Sequence, residues 1–134
     1  MCKELKYSSL WIKTALLVAE MSYCKRKQVG CVIVKDNDIL SLGWNGTPSN
    51  HNNCCEDKST GLTLPIVIHA EENALKKLNY KAREAIVYTT LQPCLNCSRL
   101  LVKAGIKKLY YRDKYSDSRG LELLAANNIE VFEI

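Results

Sequence analysis

Two short stretches, His69-Ala70-Glu71 and Pro93-Cys94-Leu95-Asn96-Cys97, constrain this chain more tightly than anything else in it. One imidazole and two thiols suit a tetrahedral zinc ion whose fourth position is left to water. Any fold that uses all three must bring residue 69 up against residues 94 and 97. Residues three apart share a helix face, so Cys94 and Cys97 can reach one ion from the first turn after Pro93. Alone, Cys-x-x-Cys fits half of a structural zinc site or a redox pair equally well. No second Cys-x-x-Cys accompanies it to close a four-thiolate site.

The hydrophobic pattern says how the two stretches could meet. Ser8 or Ser9 is expected to cap a first helix running to about Ser22, with Leu10, Thr14, Leu17, Val18 and Met21 on its buried face. The β-branched run Val29 to Val34, the polar Asp36-Asn37-Asp38 and the segment Ile39 to Trp44 read as a hairpin. Residues 45–65 are rich in Gly, Pro, Asn and Ser, and a loop that long should lie over a site. Strand-like Ile66-Val67-Ile68 then precedes a helix from His69 to Leu78 and a strand from Ala85 to Thr90. Pro93 opens a helix through Ala104, which Gly105 ends. Ile106 to Tyr111 is a strand, Leu121 to Asn127 a helix and Ile129 to Ile134 a last strand. Alternating helices and strands predict an α/β fold with helices on both faces of one sheet and parallel crossover pairs. Both helix starts then fall at one sheet edge, where α/β sites gather. A chain of 134 residues is expected to form one domain, 1–134.

The net charge of +5 favours an anionic partner, although each small group of lysines and arginines alone reads as a solvated face. Nothing near Met1 reads as a signal peptide and Thr14 to Ala19 is too short to span a bilayer, so a cytoplasmic protein without membrane contact is expected. Seven cysteines without a secretory context point to reduced thiols and metal ligands rather than a disulfide framework. Cys31, inside a strand pattern, reads as a small core residue.

Two thiolates and a neutral imidazole leave a bound Zn²⁺ formally uncharged, which weakens it as a Lewis acid. Helix N-termini aimed at the ion would offset that through their partial positive charge. A neighbouring carboxylate can move the protons of a bound water. Periodicity does not choose between Glu71 and Glu72 for this.

His69-Ala70-Glu71-Glu72-Asn73-Ala74, Thr89-Thr90-Leu91-Gln92-Pro93-Cys94-Leu95-Asn96-Cys97 and Gly43-Trp44-Asn45-Gly46-Thr47-Pro48 together resemble the deoxycytidylate (dCMP) deaminase family, and the likeness covers nearly the whole chain. The resemblance implies a cytidine deaminase-like three-layer α/β/α sandwich with a mixed five-stranded sheet. It implies that His69, Cys94 and Cys97 bind catalytic zinc and that Glu71 is the proton shuttle in hydrolysis of dCMP to dUMP and ammonia, which supplies thymidylate synthesis. Main-chain groups at Ala70 and around Leu91-Gln92 would hold the pyrimidine edge, and Asn45, otherwise a turn residue, the sugar. The Gly43, Asn45 and Gly46 turn is the place of a regulatory site for dCTP or dTTP, with Mg²⁺ accompanying the triphosphate, although Trp44 replaces the family's usual Tyr or Phe.

A 5′-phosphate needs cations or hydroxyls. Arg26 is the first candidate, because its fork binds phosphate bidentately, and Tyr115 the second, ahead of Lys25, Lys27 and Arg119. Some relatives hold an additional structural zinc, for which Cys24, His51, Cys54 and Cys55 are this chain's candidates. Read without the resemblance, these are free thiols and a surface histidine. Family members are typically homo-oligomers, often hexamers. Two other readings share part of the pattern: a tRNA adenosine or other cytosine nucleotide deaminase, and a non-enzymatic module with a structural zinc. Against RNA stand Asn73, the Gly-x-Asn-Gly turn and the lack of a concentrated basic tail, so a nucleic-acid partner is not expected.

Overall fold

A computed structural model of the chain describes residues 3–134. In chain order the elements are α1 (Lys3–Ala19), β1 (Gly30–Lys35), β2 (Asp38–Trp44), α2 (Ala70–Lys76), β3 (Ile86–Leu91), α3 (Leu95–Ala104), β4 (Lys108–Asp113), α4 (Arg119–Ala126) and β5 (Glu130–Glu133). They form a five-stranded sheet in the order β2-β1-β3-β4-β5. β1 is antiparallel to both neighbours, while β3, β4 and β5 run parallel. Parallel neighbours need crossovers, which α3 and α4 supply.

The alternation of side chains along β1 creates the layers. Cys31 and Ile33 point into a core shared with Ala74 and Leu75 of α2, Leu101 of α3 and Leu124 of α4. Val32 and Val34 point the other way, against Trp11, Ile12, Ala15 and Val18 of α1. The result is the expected α/β/α sandwich. The hairpin turns through Asp36 and Asn37, both at positive φ (51° and 64°), the paired left-handed conformation of a tight two-residue turn. No helix among the described residues is long and apolar enough to cross a membrane.

Several expectations change. α1 begins five residues before Ser8, which lies mid-helix with its hydroxyl 3.2 Å from the Tyr88 hydroxyl. Its buried face is Ser8, Trp11, Ile12, Ala15, Val18 and Ala19, whereas Leu10, Leu17 and Met21 are 50%, 66% and 57% exposed. The helix carries two apolar stripes, and the one with small residues wins because β1 approaches closely there. A Cβ on Gly30 would stand 2.0 Å from the Ala15 carbonyl oxygen and 2.7 Å from the Ala19 nitrogen. Ile66-Val67-Ile68 is not a strand: it contributes a single bridge, Gly46 to Ile68. The thiol expectation is corrected at one pair, since Cys24 and Cys55 form a disulfide between the segment after α1 and the 45–65 loop.

Gly30→Ala should therefore force α1 off the sheet. Overpacking against backbone costs about 3 kcal/mol or more where nothing can yield, and urea unfolding should show that loss.

Candidate active site

His69 is the N-cap of α2 and Cys94 the N-cap of α3, both with extended backbone. An N-cap residue sits just outside the helix, so its side chain reaches past the helix end, among N–H groups with no partner inside the helix. The Cys94 sulfur accepts from the Cys97 N–H at 3.4 Å. His69 Nδ1 stands 3.5 Å from Cys94 Sγ and 3.4 Å from Cys97 Sγ. A tetrahedral ion with Zn–S of about 2.3 Å and Zn–N of about 2.05 Å places nitrogen and sulfur about 3.5 Å apart. The donor set and its spacing fit zinc, and the group contains three protein donors among the described residues, His69, Cys94 and Cys97.

Burial and mutual hydrogen bonding perturb His69, Glu71, Cys94 and Cys97. A hydrogen bond from Cys97, with help from His69 and the Cys97 N–H, holds the Cys94 thiol well below its ordinary range. The same bond, together with burial, pushes Cys97 up, so the metal-free pair shares one proton. The bond to Cys94 raises His69 against the opposing effect of its burial. Glu71 is 4% exposed, and that burial pushes its carboxyl from 4.5 up to about 7. Beneath it, the fully buried Cys31 thiol is also pushed up, by burial first and by Glu71 second.

The structure separates the two glutamates that periodicity could not. Glu71 faces a cavity of about 300 Å³ that His69 and Cys94 also line. Glu72 turns away and accepts a hydrogen bond from the Tyr80 hydroxyl at 3.3 Å. Ala70, Leu91 and Gln92 line the same cavity, as do Asn45, Arg26 and Tyr115. Asn45 is already engaged: its Oδ1 accepts from the Val29 N–H and its Nδ2 donates to the Lys27 carbonyl, both at 2.8 Å. One amide hydrogen is left for a ligand.

Gly43 lies buried under α2, where a Cβ would stand 2.3 Å from the Ala70 carbonyl oxygen. Gly46 is half-exposed. The Gly43, Asn45 and Gly46 trio thus shares no single open surface. Of the second-metal candidates, Cys24 and Cys55 come together with Glu56, while His51 and Cys54 stand outside that group.

Sequence reasoning gave Lys27 little weight and missed Thr63 and the Gln92 side chain. Lys27 lines the cavity with its Nζ 5.5 Å above the centre of the Tyr115 ring. Thr63 lines it from the long loop. Buried Gln92 accepts from the Tyr115 N–H at 3.1 Å and donates to the Asp117 carbonyl at 2.9 Å, which fixes the segment carrying Tyr115. Its position directly before Pro93 was the one available signal.

Residues 6–113 match the family described as the cytidine and deoxycytidylate deaminase zinc-binding region. The chain is 35% identical to the deoxycytidylate deaminase of Schizosaccharomyces pombe over 93% of its own length and 43% of that protein's. It is 33% identical to the deoxycytidylate deaminase of Mycobacterium phage D29, covering 78% of this chain and 93% of the phage protein. It spans less than half the length of the Schizosaccharomyces pombe protein and of the deoxycytidylate deaminase of Saccharomyces cerevisiae, 43% and 44%. Among solved structures, the dCMP deaminase of cyanophage S-TIM5 in complex with dCMP and dUMP superposes with a TM-score of 0.91 at 41% identity, over 100% of this chain and 99% of that one. A tRNA:A34 deaminase structure, 19% identical with a TM-score of 0.61, shares the fold. Histidine and paired cysteines at zinc spacing, a buried glutamate beside them and a match across most of the sequence agree: the chain belongs to the cytidine and deoxycytidylate deaminase family.

Proposed function

We propose that the chain is a zinc-dependent hydrolase that converts dCMP and water to dUMP and ammonia, supplying dUMP for thymidylate synthesis. One observation carries the reading: a three-donor metal group adjoins a buried carboxylate in a cavity whose exposed side holds Arg26 and Lys27. Three donors leave a place for water, whereas a purely structural site would fill it with a fourth. The likeness to a structure holding dCMP and dUMP over the full chain supports the substrate. Similarity to the tRNA deaminase structure extends to the fold and gives no support for RNA.

Held by His69, Cys94 and Cys97, zinc would supply the Lewis acidity that makes water nucleophilic near neutral pH. Glu71 takes a proton from the attacking water and gives it to ring N3 as the oxygen bonds to C4. It then moves the second proton to the exocyclic amine, the C4–N bond breaks with its electrons on nitrogen, and ammonia leaves a carbonyl at C4. A carboxyl pushed up to about 7 by burial is suited to both directions of transfer. The Ala70 N–H, in the first turn of α2 and so without a partner inside the helix, is the donor for the pyrimidine edge. Asn45 offers its remaining N–H to the sugar, and Arg26 and Tyr115 face the 5′-phosphate.

Cys24 and Cys55, reduced, would offer two sulfurs to a second zinc beside Glu56. Mg²⁺, the dCTP and dTTP effectors and a homohexamer rest on the family resemblance. A single domain over 1–134 and a cytoplasmic setting rest on chain length and on the sequence pattern near Met1.

Glu71→Ala should keep zinc, as metal analysis would show, and lose at least about 100-fold in ammonia release from dCMP. Metal loss in that variant would overturn the division of roles. A second expectation concerns the metal-stripped protein. Below pH 4.5 Glu71 is neutral in folded and unfolded chains alike; between 4.5 and about 7 only the unfolded chain ionises, so folding stability falls as pH rises. The loss, roughly 3 kcal/mol by pH 8, should be absent in Glu71→Gln. Urea melts of the two stripped proteins at pH 4.5 and pH 8 measure it.

A further inference from the structure

Residues 20–29 join α1 to β1 without regular structure, yet they carry Arg26 and Lys27 to the cavity. Both side chains are long and exposed, so their direction depends on how the backbone beneath them is held. One carboxylate oxygen, Glu56 Oε2, accepts from two successive N–H groups of that backbone, Lys25 at 3.1 Å and Arg26 at 3.2 Å. Bonds from N–H to a charged acceptor are stronger than bonds between neutral groups. Asn45 holds the other end through the Lys27 carbonyl and the Val29 N–H. The Cys24–Cys55 bond ties the same two segments one residue before Glu56.

Glu56 is itself fixed. It forms a bridge with Thr63, and the Leu64 N–H donates to the neighbouring Cys55 carbonyl at 2.7 Å. Its carboxylate, though close to two cationic residues, is directed at backbone: among the described residues neither Arg26 nor Lys27 has a carboxylate within ion-pair distance. An anion arriving beside them would meet two cations that no carboxylate neutralises among the described residues.

We infer that Glu56 is a positioning residue for the substrate's 5′-phosphate: by holding the Lys25 and Arg26 N–H groups it presents the Arg26 and Lys27 side chains to that phosphate. This rests on the proposed reading of the chain as a dCMP deaminase and assigns a role to a residue outside the cavity. A role in the chemistry would change kcat, and a role in general stability would affect all substrates alike. A role in phosphate presentation changes KM for dCMP alone.

The test compares ammonia release from dCMP and from deoxycytidine by wild type, Glu56→Ala and Glu56→Gln, with zinc content measured in each. Expected for Glu56→Ala is a KM for dCMP raised about tenfold, a kcat within twofold of wild type, and kcat/KM for deoxycytidine unchanged. Glu56→Gln, which keeps an acceptor oxygen, should fall between the two, and it carries the test if the alanine variant does not fold. Equal losses on both substrates, or no change on either, would overturn the positioning role while leaving the deaminase reading intact. A wild-type enzyme that uses deoxycytidine as readily as dCMP would remove the phosphate reading itself, and the positioning role with it.

Discussion

The starts of α2 and α3 have to meet, because the nitrogen of an N-cap histidine and the sulfur of an N-cap cysteine stand 3.5 Å apart. Neither contact is made by a flexible reach. α2 seats directly on β2 because Gly43 has no Cβ where the Ala70 carbonyl and the Ala74 nitrogen lie. α3 follows β3 after a short turn, and α4 closes over that turn where Gly120 lets the Pro93 carbonyl approach. Ligand spacing is thus set by backbone packing on the sheet, whose most buried strands, β1 and β3, are neighbours. A protein interior at this density transmits small changes rather than absorbing them. Packing glycines beside His69 and Cys94 therefore bear on the geometry of the donor group.

What was legible in the sequence is what depends on near neighbours. Cys94 and Cys97 do meet at the start of α3, although Cys94 is its N-cap, folded back onto the Cys97 N–H, and not a residue of a helix opened by Pro93; Gly105 ends α3 at a φ of 85° that suits glycine. The hairpin at Asp36 and Asn37 was equally local. The α1 face was not, because Leu10, Leu17 and Met21 make as good a stripe as Trp11, Ile12 and Val18, and only the approach of Gly30 decides between them. At the site, the choice of Glu71 over Glu72 came from resemblance, and its physical ground, burial against Cys31, needed the fold. Gln92 and Glu56 were illegible for the same reason. Each acts on backbone more than twenty residues away, and no spacing rule connects Gln92 to Tyr115 or Glu56 to Arg26.

The long loop shows why composition underdetermines function. Residues 45–65 were expected to cover a site because they are too long to be a mere connection, and Thr63 does line the cavity. The loop also reaches back to the segment after α1 through Cys55 and Glu56. Two segments that lack regular structure fix each other, and they do so beside the charged side chains. Ordering such segments costs conformational entropy, which a covalent bond and charge-assisted hydrogen bonds help to offset.

Burial sets the Glu71 carboxyl, and the charges around it oppose one another. His69 lowers it and Cys94 raises it, while burial, the largest cause, pushes it up to about 7. The Cys94 thiol is held well below its ordinary range and His69 is raised, so the two donors act on Glu71 with opposite signs. Under the proposed function, a divalent ion with two thiolates and a neutral imidazole would likewise sum to zero. Burial would then remain the dominant cause, and a carboxyl near 7 is close enough to neutrality both to take a proton and to return it.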